Sequence, residues 1–172
     1  PDYLILGEIQ TEEHSRALFH ALAAGLHSIQ TCHSDSAANL ISRWIMSHDI
    51  ERNSLGLMDL IVTLERPKPG ESIRRIKEII EIRKDIQQGI LMFLGTNKVY
   101  DNETDAIDNW AEDGAFLVHA NSHGIRNPRQ SLDSLIEIIE NTGNFSDIEN
   151  LTERLWSYGH PMKFTCPHID ND

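Results

Sequence analysis

A chain of 172 residues, 40% hydrophobic and 24% charged, is long enough to bury one sizeable core but not to build two full domains. Its net charge of −12, from 15 Lys and Arg against 27 Asp and Glu, argues against a nucleic-acid footprint, and the basic run Arg74-Arg75-Ile76-Lys77 is too short to reverse that. No stretch approaches the roughly 20 apolar residues of a membrane span, and Cys32 and Cys166 lie too far apart for a disulfide framework or a Cys-x-x-Cys metal spacing, which points to the cytosol. The chain opens on Pro without a basic or apolar leader, so no signal peptide is predicted, and an abrupt start on a core strand reads as a piece of something longer.

The run at residues 3–6 is continuously apolar and stops at Gly7-Glu8, which suits a strand buried on both faces of a parallel sheet. Residues 12–24 change to a helical stripe through Ala17, Leu18, Ala21 and Leu22, with acidic residues in the first turn and Gly25 as the stop. A short mixed strand is predicted over 26–31, and Ser34 or Asp35 caps a helix reaching Met46 with Leu40, Ile41, Trp44 and Ile45 inward. Residues 57–64 read as a further strand. The two prolines and glycine of Arg66-Pro67-Lys68-Pro69-Gly70 form the clearest breaker.

Beyond the breaker, residues 73–82 fit a helix or a strand equally well by periodicity. Residues 89–94 and 98–100 look like short strands, Asp101-Asn102-Glu103-Thr104-Asp105 like a turn, and the group like an antiparallel addition to the main sheet. Ser131 can cap a helix reaching Asn141, and Ser146-Asp147-Ile148-Glu149 is a capping box that opens a second helix to Tyr158. Residues 161–172 form a polar, proline-interrupted tail.

Two candidates for chemistry stand out. Glu8 emerges where the first apolar run stops, as a carboxylate must if it is to order water beside a metal-bound triphosphate. His33 closes the next strand, in Gln30-Thr31-Cys32-His33-Ser34-Asp35-Ser36, where an imidazole can donate to a phosphate oxygen. Either residue alone is an ordinary solvent-facing strand end. Together they carry more, because a parallel crossover through one helix brings both to the same sheet edge, where α/β folds bind ligands. Thr31 and Ser34 offer hydroxyls nearby, whereas Asp35 reads as a helix cap and Cys32 as a small apolar residue on the opposite strand face. Cys166, His160 and His168 lack a fourth metal ligand at convincing spacing.

These segments resemble the secretion-superfamily ATPases, the hexameric motors of type II and type IV secretion, type IV pili and archaeal pilus or archaellum assembly. Tyr3-Leu4-Ile5-Leu6-Gly7-Glu8, preceded by Pro1-Asp2, is similar to that family's Walker B strand, and Thr31-Cys32-His33-Ser34-Asp35-Ser36 resembles its histidine box. The helix from Ala17-Leu18-Phe19 to Ala23-Ala24-Gly25, the strand Met58-Asp59-Leu60-Ile61-Val62, and Arg75-Ile76-Lys77-Glu78-Ile79-Ile80-Glu81-Ile82 as the opening strand of a C-terminal hairpin also look like the family. By resemblance, the last of these is a strand. The chain departs from the pattern at Gln10, where the family usually has arginine, and at Leu26, where it usually has histidine, with His27 one place later.

The resemblance implies an α/β chain: the C-terminal half of a RecA-like P-loop NTPase sheet with an antiparallel β extension and C-terminal helices. Residues 1–66 would hold the Walker B segment and histidine box, 67–160 the β-hairpin extension and helical region, and 161–172 a loose tail. It implies ATP and Mg2+ as cofactors, Glu8 and His33 as catalytic residues, Glu8 reaching Mg2+ through water, and Thr31, Gly7 and Arg43 as nucleotide-binding residues. It implies a hexameric ring of like subunits on an inner-membrane platform protein, cytoplasmic and peripheral to the membrane. No Gly-x-x-x-x-Gly-Lys-Ser/Thr occurs in the 172 residues, so a phosphate-cradling loop is not in this chain and the chain alone is expected to bind ATP poorly. The alternatives are a degenerate, non-hydrolysing homologue acting as a subunit or regulator, or an unrelated acidic α/β interaction domain.

Overall fold

The computed structural model of the chain describes residues 3–68, 70, 72–107 and 110–141. The helix expected to open at Ser146, the tail, and Cys166, His160 and His168 lie outside the described residues. Two units are distinguished, Pro1–His123 and Gly124–Asp172. The described part is mixed α/β, and no described helix is long and apolar enough to cross a membrane.

The first unit opens with β1 (Tyr3–Ile9), α1 (Glu12–Ala23) and β2 (His27–Cys32), and β1 and β2 pair in parallel. Thr11 caps α1 by accepting the N–H of His14 at 3.3 Å, ahead of Glu12 and Glu13, whose charges suit the positive end of the helix. At the other end Gly25, at φ +86°, and Leu26 donate to the carbonyls of Leu22 (2.9 Å) and Ala21 (3.1 Å), which closes the helix with a left-handed residue that glycine adopts without strain.

The helix α2 (Ala37–Met46) follows β2, and a 3-10 turn (Arg52–Leu57) leads into β3 (Leu60–Glu65). The cap of α2 is Ser36, which accepts the Asn39 N–H at 3.2 Å, rather than the expected Ser34 or Asp35. Asp35 instead accepts the Asn39 side-chain amide at 2.7 Å, a bond that holds its carboxyl below the usual range. The expected strand over 57–64 starts later, because residues 52–57 coil into the turn.

The second sheet is antiparallel in the order β3, β4 (Arg75–Gln87), β5 (Ile90–Asp101), β6 (Ala106–Ile107). The segment ambiguous between helix and strand is therefore strand, and the two short strands expected after it are one long strand. A two-residue turn joins β4 to β5, with Gln88 at φ +53° and Gly89 at +79°, the left-handed pair that matches strand twist. β3 lies within this antiparallel sheet, so the residues on either side of the expected boundary at 66 are hydrogen-bonded neighbours.

The core joins helices and second sheet: Phe19, Leu40, Trp44, Leu55, Met58, Ile61, Ile80 and Ile82 are buried together, and the Phe19 and Trp44 rings meet edge to face at 5.4 Å. Ser15 is fully buried; its hydroxyl donates to the Thr11 carbonyl (3.2 Å) and lies 2.7 Å from His48 Nδ1, which fixes α1 to the segment after α2. A short helix, α3 (Ala115–Ser122), with no counterpart in the sequence reading, closes the unit. Glu81 of β4, fully buried, accepts the N–H groups of Phe116 (2.9 Å) and Ala111 (3.1 Å) and so neutralises the start of that helix.

In the second unit, α4 runs Pro128–Asn141. It begins three residues before the expected cap Ser131, because Pro128 occupies the first helical position, where a missing N–H leaves nothing unsatisfied.

Candidate functional site

β1 does not stop at Glu8. Its partners are Leu6 with Gln30 and Ile9 with Cys32, so Gly7 and Glu8 together face the single residue Thr31. This is a β-bulge, and its extra residue shifts the alternation of β1: Ile9, which parity would place outward with Tyr3 and Ile5, is buried. The Thr31 hydroxyl donates to the Gly7 carbonyl and pins the bulge from β2. Gly7 is not needed for space, since nothing lies within 4 Å of where its Cβ would stand.

Glu8 and His33 come together as the parallel crossover predicts. Glu8 Oε1 lies 2.8 Å from His33 Nε2, with the carboxylate one-third exposed (34%) and the imidazole almost fully so (92%). Oε1 is shielded from solvent and has no aligned hydrogen-bond donor, so the contact is an ion pair when His33 is protonated rather than a directed hydrogen bond. A carboxylate and an imidazole so placed can share or relay a proton and order a water beside them.

Arg43 and Cys32 complete the surroundings. Burial pushes the Cys32 thiol pKa up, the Arg43 guanidinium draws it back down, and the Glu8 charge adds to the rise, so both charges are felt at Cys32. Arg43 Nε is buried without a hydrogen-bond partner. Cys32 packs half-buried against the core, on the opposite strand face from Thr31 and His33.

The start of α2, directly after His33, is already neutralised: Glu78 of β4 accepts the N–H of Ala37 at 2.8 Å, and the Lys77 ammonium donates to the Asp35 carbonyl at 2.8 Å. The sequence reading missed Glu78 and Glu81 as structural carboxylates. Their signal was acidic residues alternating with isoleucines inside an apolar run, which marks carboxylates that a strand carries inward.

A groove of about 290 Å³ adjoins the pair, with Thr31, His33, Ser34 and Ser36 at a polar part and Leu40, Trp44 and Ile61 among its apolar lining. A larger recess, about 440 Å³, lies at Arg83, Asn97 and Asp113, away from Glu8 and His33. Its cation is already engaged, because Arg83 makes a two-pronged pair with Asp113 at 2.8 and 2.6 Å. The smaller groove is therefore the one that bears on chemistry. Among the described residues no three His, Cys, Asp or Glu side chains converge to hold a metal ion directly.

No family model matches the chain, and no curated protein matches it.

Proposed function

We propose that this chain carries the water-activating and phosphate-sensing part of an ATP-hydrolysing motor of the secretion-superfamily kind, which drives type II or type IV secretion or pilus-like filament assembly. The observation that carries the reading is the 2.8 Å approach of Glu8 and His33 from the ends of two adjacent parallel strands. Glu8 positions the attacking water near Mg2+, and His33, beside Thr31, contacts the γ-phosphate of ATP. Gly7 offers backbone at the bulge, and Arg43 supplies positive charge behind Cys32. In the complete protein, like subunits form a hexameric ring, peripheral to the inner face of the membrane on a platform protein, and hydrolysis becomes movement of that platform.

The test is ATP turnover by the complete protein and by its Glu8→Gln and His33→Ala variants. A loss of at least a hundredfold with Glu8→Gln, with nucleotide binding retained, is the expected result. Equal and negligible rates for wild type and variant would overturn the motor reading. They would favour a non-hydrolysing homologue acting as a subunit or regulator, to which Gln10 and Leu26 already point.

A further inference from the structure

We propose that His119 and His123, at the end of α3, form a two-imidazole chelate for one divalent cation of the zinc, nickel or copper kind, whose remaining coordination positions are filled by water. This inference stands apart from the ATPase reading and does not depend on it. The Mg2+ of that reading is a hard ion that takes oxygen ligands, whereas imidazole nitrogen suits the later transition metals.

Side chains four residues apart on a helix lie on one face, one above the other. His123 is the C-cap of α3, and its backbone N–H still reaches the His119 carbonyl at 3.2 Å, so the helical spacing extends to the second histidine. Both residues are exposed, and their ring centroids lie 4.2 Å apart at an interplanar angle of 33°. Zinc–nitrogen bonds of about 2.0–2.1 Å put two imidazoles on one tetrahedral ion with centroids about 5 Å apart, so a small side-chain rotation brings this pair to a chelate.

The same turn fixes the tautomer of His123. Its Nδ1 lies 3.0 Å from the His119 carbonyl oxygen, which can only accept, so in the neutral imidazole Nδ1 carries the proton and Nε2 the lone pair. Ser122 Oγ donates to that carbonyl at 2.7 Å and lies 3.1 Å from His123 Nδ1, so its oxygen is left to accept from the same N–H. A metal-ligating histidine almost always donates its other ring N–H to a carbonyl, carboxylate or water, and His123 has that support in place. The His119 ring makes no hydrogen bond among the described residues, so no existing bond has to break for it to bind an ion.

The setting favours a cation. Glu81 holds the start of α3 through the Phe116 N–H at 2.9 Å, and Ala115 and Ala120 are buried, so the pair stands on an anchored element. It lies at the C-terminal end of that helix, where the carbonyl dipoles attract positive charge, on a chain of net charge −12. Among the described residues no third His, Cys, Asp or Glu joins the two. A tetrahedral ion held by two nitrogens keeps two positions for water, which is the open coordination that a structural zinc lacks.

The experiment titrates the 172-residue chain with Zn2+ near neutral pH and follows the assigned imidazole resonances by NMR, with long-range proton–nitrogen spectra to report which ring nitrogen binds. The expected result is that His119 and His123 respond together along one single-site curve, that the ion sits on His123 Nε2 with Nδ1 still protonated, and that Mg2+ at the same concentration has no effect. His119→Gln, a change at an exposed ring with no hydrogen bond to lose, should weaken the response of His123 at least tenfold while the spectrum stays dispersed. His123→Gln should weaken the response of His119 to the same extent. Four outcomes would each overturn the proposal: an unchanged His123 curve in His119→Gln, two independent curves in the wild type, metal on Nδ1, or a response confined to other residues such as His160, Cys166 and His168.

Discussion

Glu78 of β4 accepts the backbone N–H of Ala37 at 2.8 Å and the Thr63 hydroxyl at 3.1 Å, so the helix that follows His33 is anchored by a strand forty-one residues further on. The antiparallel hairpin is thereby part of the scaffold of the candidate site. Glu81, three places later, does the same for α3. One strand thus holds the first turns of two helices, each through a carboxylate matched to the positive helix end.

Replacing Glu78 by Ala removes that anchor and leaves the Ala37 N–H to the solvent. Urea unfolding should show a loss of about 1–2 kcal/mol, the scale of a lost helix cap, with an unchanged m-value. Glu78→Gln keeps a carbonyl acceptor and should lose less. Equal losses for the two variants would mean that the charge, and not the hydrogen bond, is what matters.

Among the described glycines, Gly114 is the one at which a methyl group has least room, since a Cβ would stand 2.2 Å from the buried carboxyl of Glu81. Gly114→Ala should destabilise the chain by about 1–3 kcal/mol or more, the usual scale of overpacking. Gly7→Ala meets nothing within 4 Å and should be neutral or stabilising by up to about 0.5–1 kcal/mol. Thermal denaturation of the two variants checks the contrast. If Gly7→Ala nonetheless abolishes ATP turnover by the complete protein, the glycine serves the approach of the nucleotide rather than the fold.

The Arg83 guanidinium bonded to Asp113 holds that carboxyl below its usual range. A depressed carboxylate contributes stability above its unfolded pKa, near 3.9, and loses it as pH falls through the lower folded value. The stability difference between wild type and Asp113→Asn should therefore be constant from pH 7 to about 5 and shrink below about pH 4. Both side chains are partly exposed, so the difference is small and should fall further in 1 M salt. Urea midpoints measured from pH 3 to 7 decide it, and a difference that grows on acidification would contradict the pairing.

Trp44 is the largest fully buried side chain among the described residues and joins α2 to Phe19 of α1. Trp44→Ala should lose about 3–5 kcal/mol, a large share of the 5–15 kcal/mol typical of a domain. Loss of the near-UV circular dichroism signal at 25 °C would report it.

Much of the site was legible because its elements are locally specified. The apolar run before Glu8, the stripe through Leu18 and Leu22, and Gly25 as a left-handed stop each follow from a few neighbouring residues. The bulge at Gly7 and Glu8 was not legible, because it exists only in the mismatch of β1 against β2, and no residue in either strand announces it. Likewise Ser36 rather than Asp35 caps α2, a choice made once Asp35 binds Asn39 and Glu78 arrives from β4. The strand after the site was expected without a stated partner, and it pairs with β4, since strand partners are set by non-local packing.

By itself the amino-acid sequence determined the order of strand, helix and strand, the acidic surface, and the placing of Glu8 and His33 at successive strand ends. Periodicity, capping and turn chemistry act over a few residues, so a linear reading reaches them. Only the tertiary structure decided that Glu8 sits in a bulge 2.8 Å from His33, that Glu78 and Glu81 point inward to helix starts, and that two sheet edges face one groove. Those relations join residues twenty-five to forty-one positions apart, and what selects them is the burial of Trp44 and its neighbours together with the need to neutralise buried helix ends.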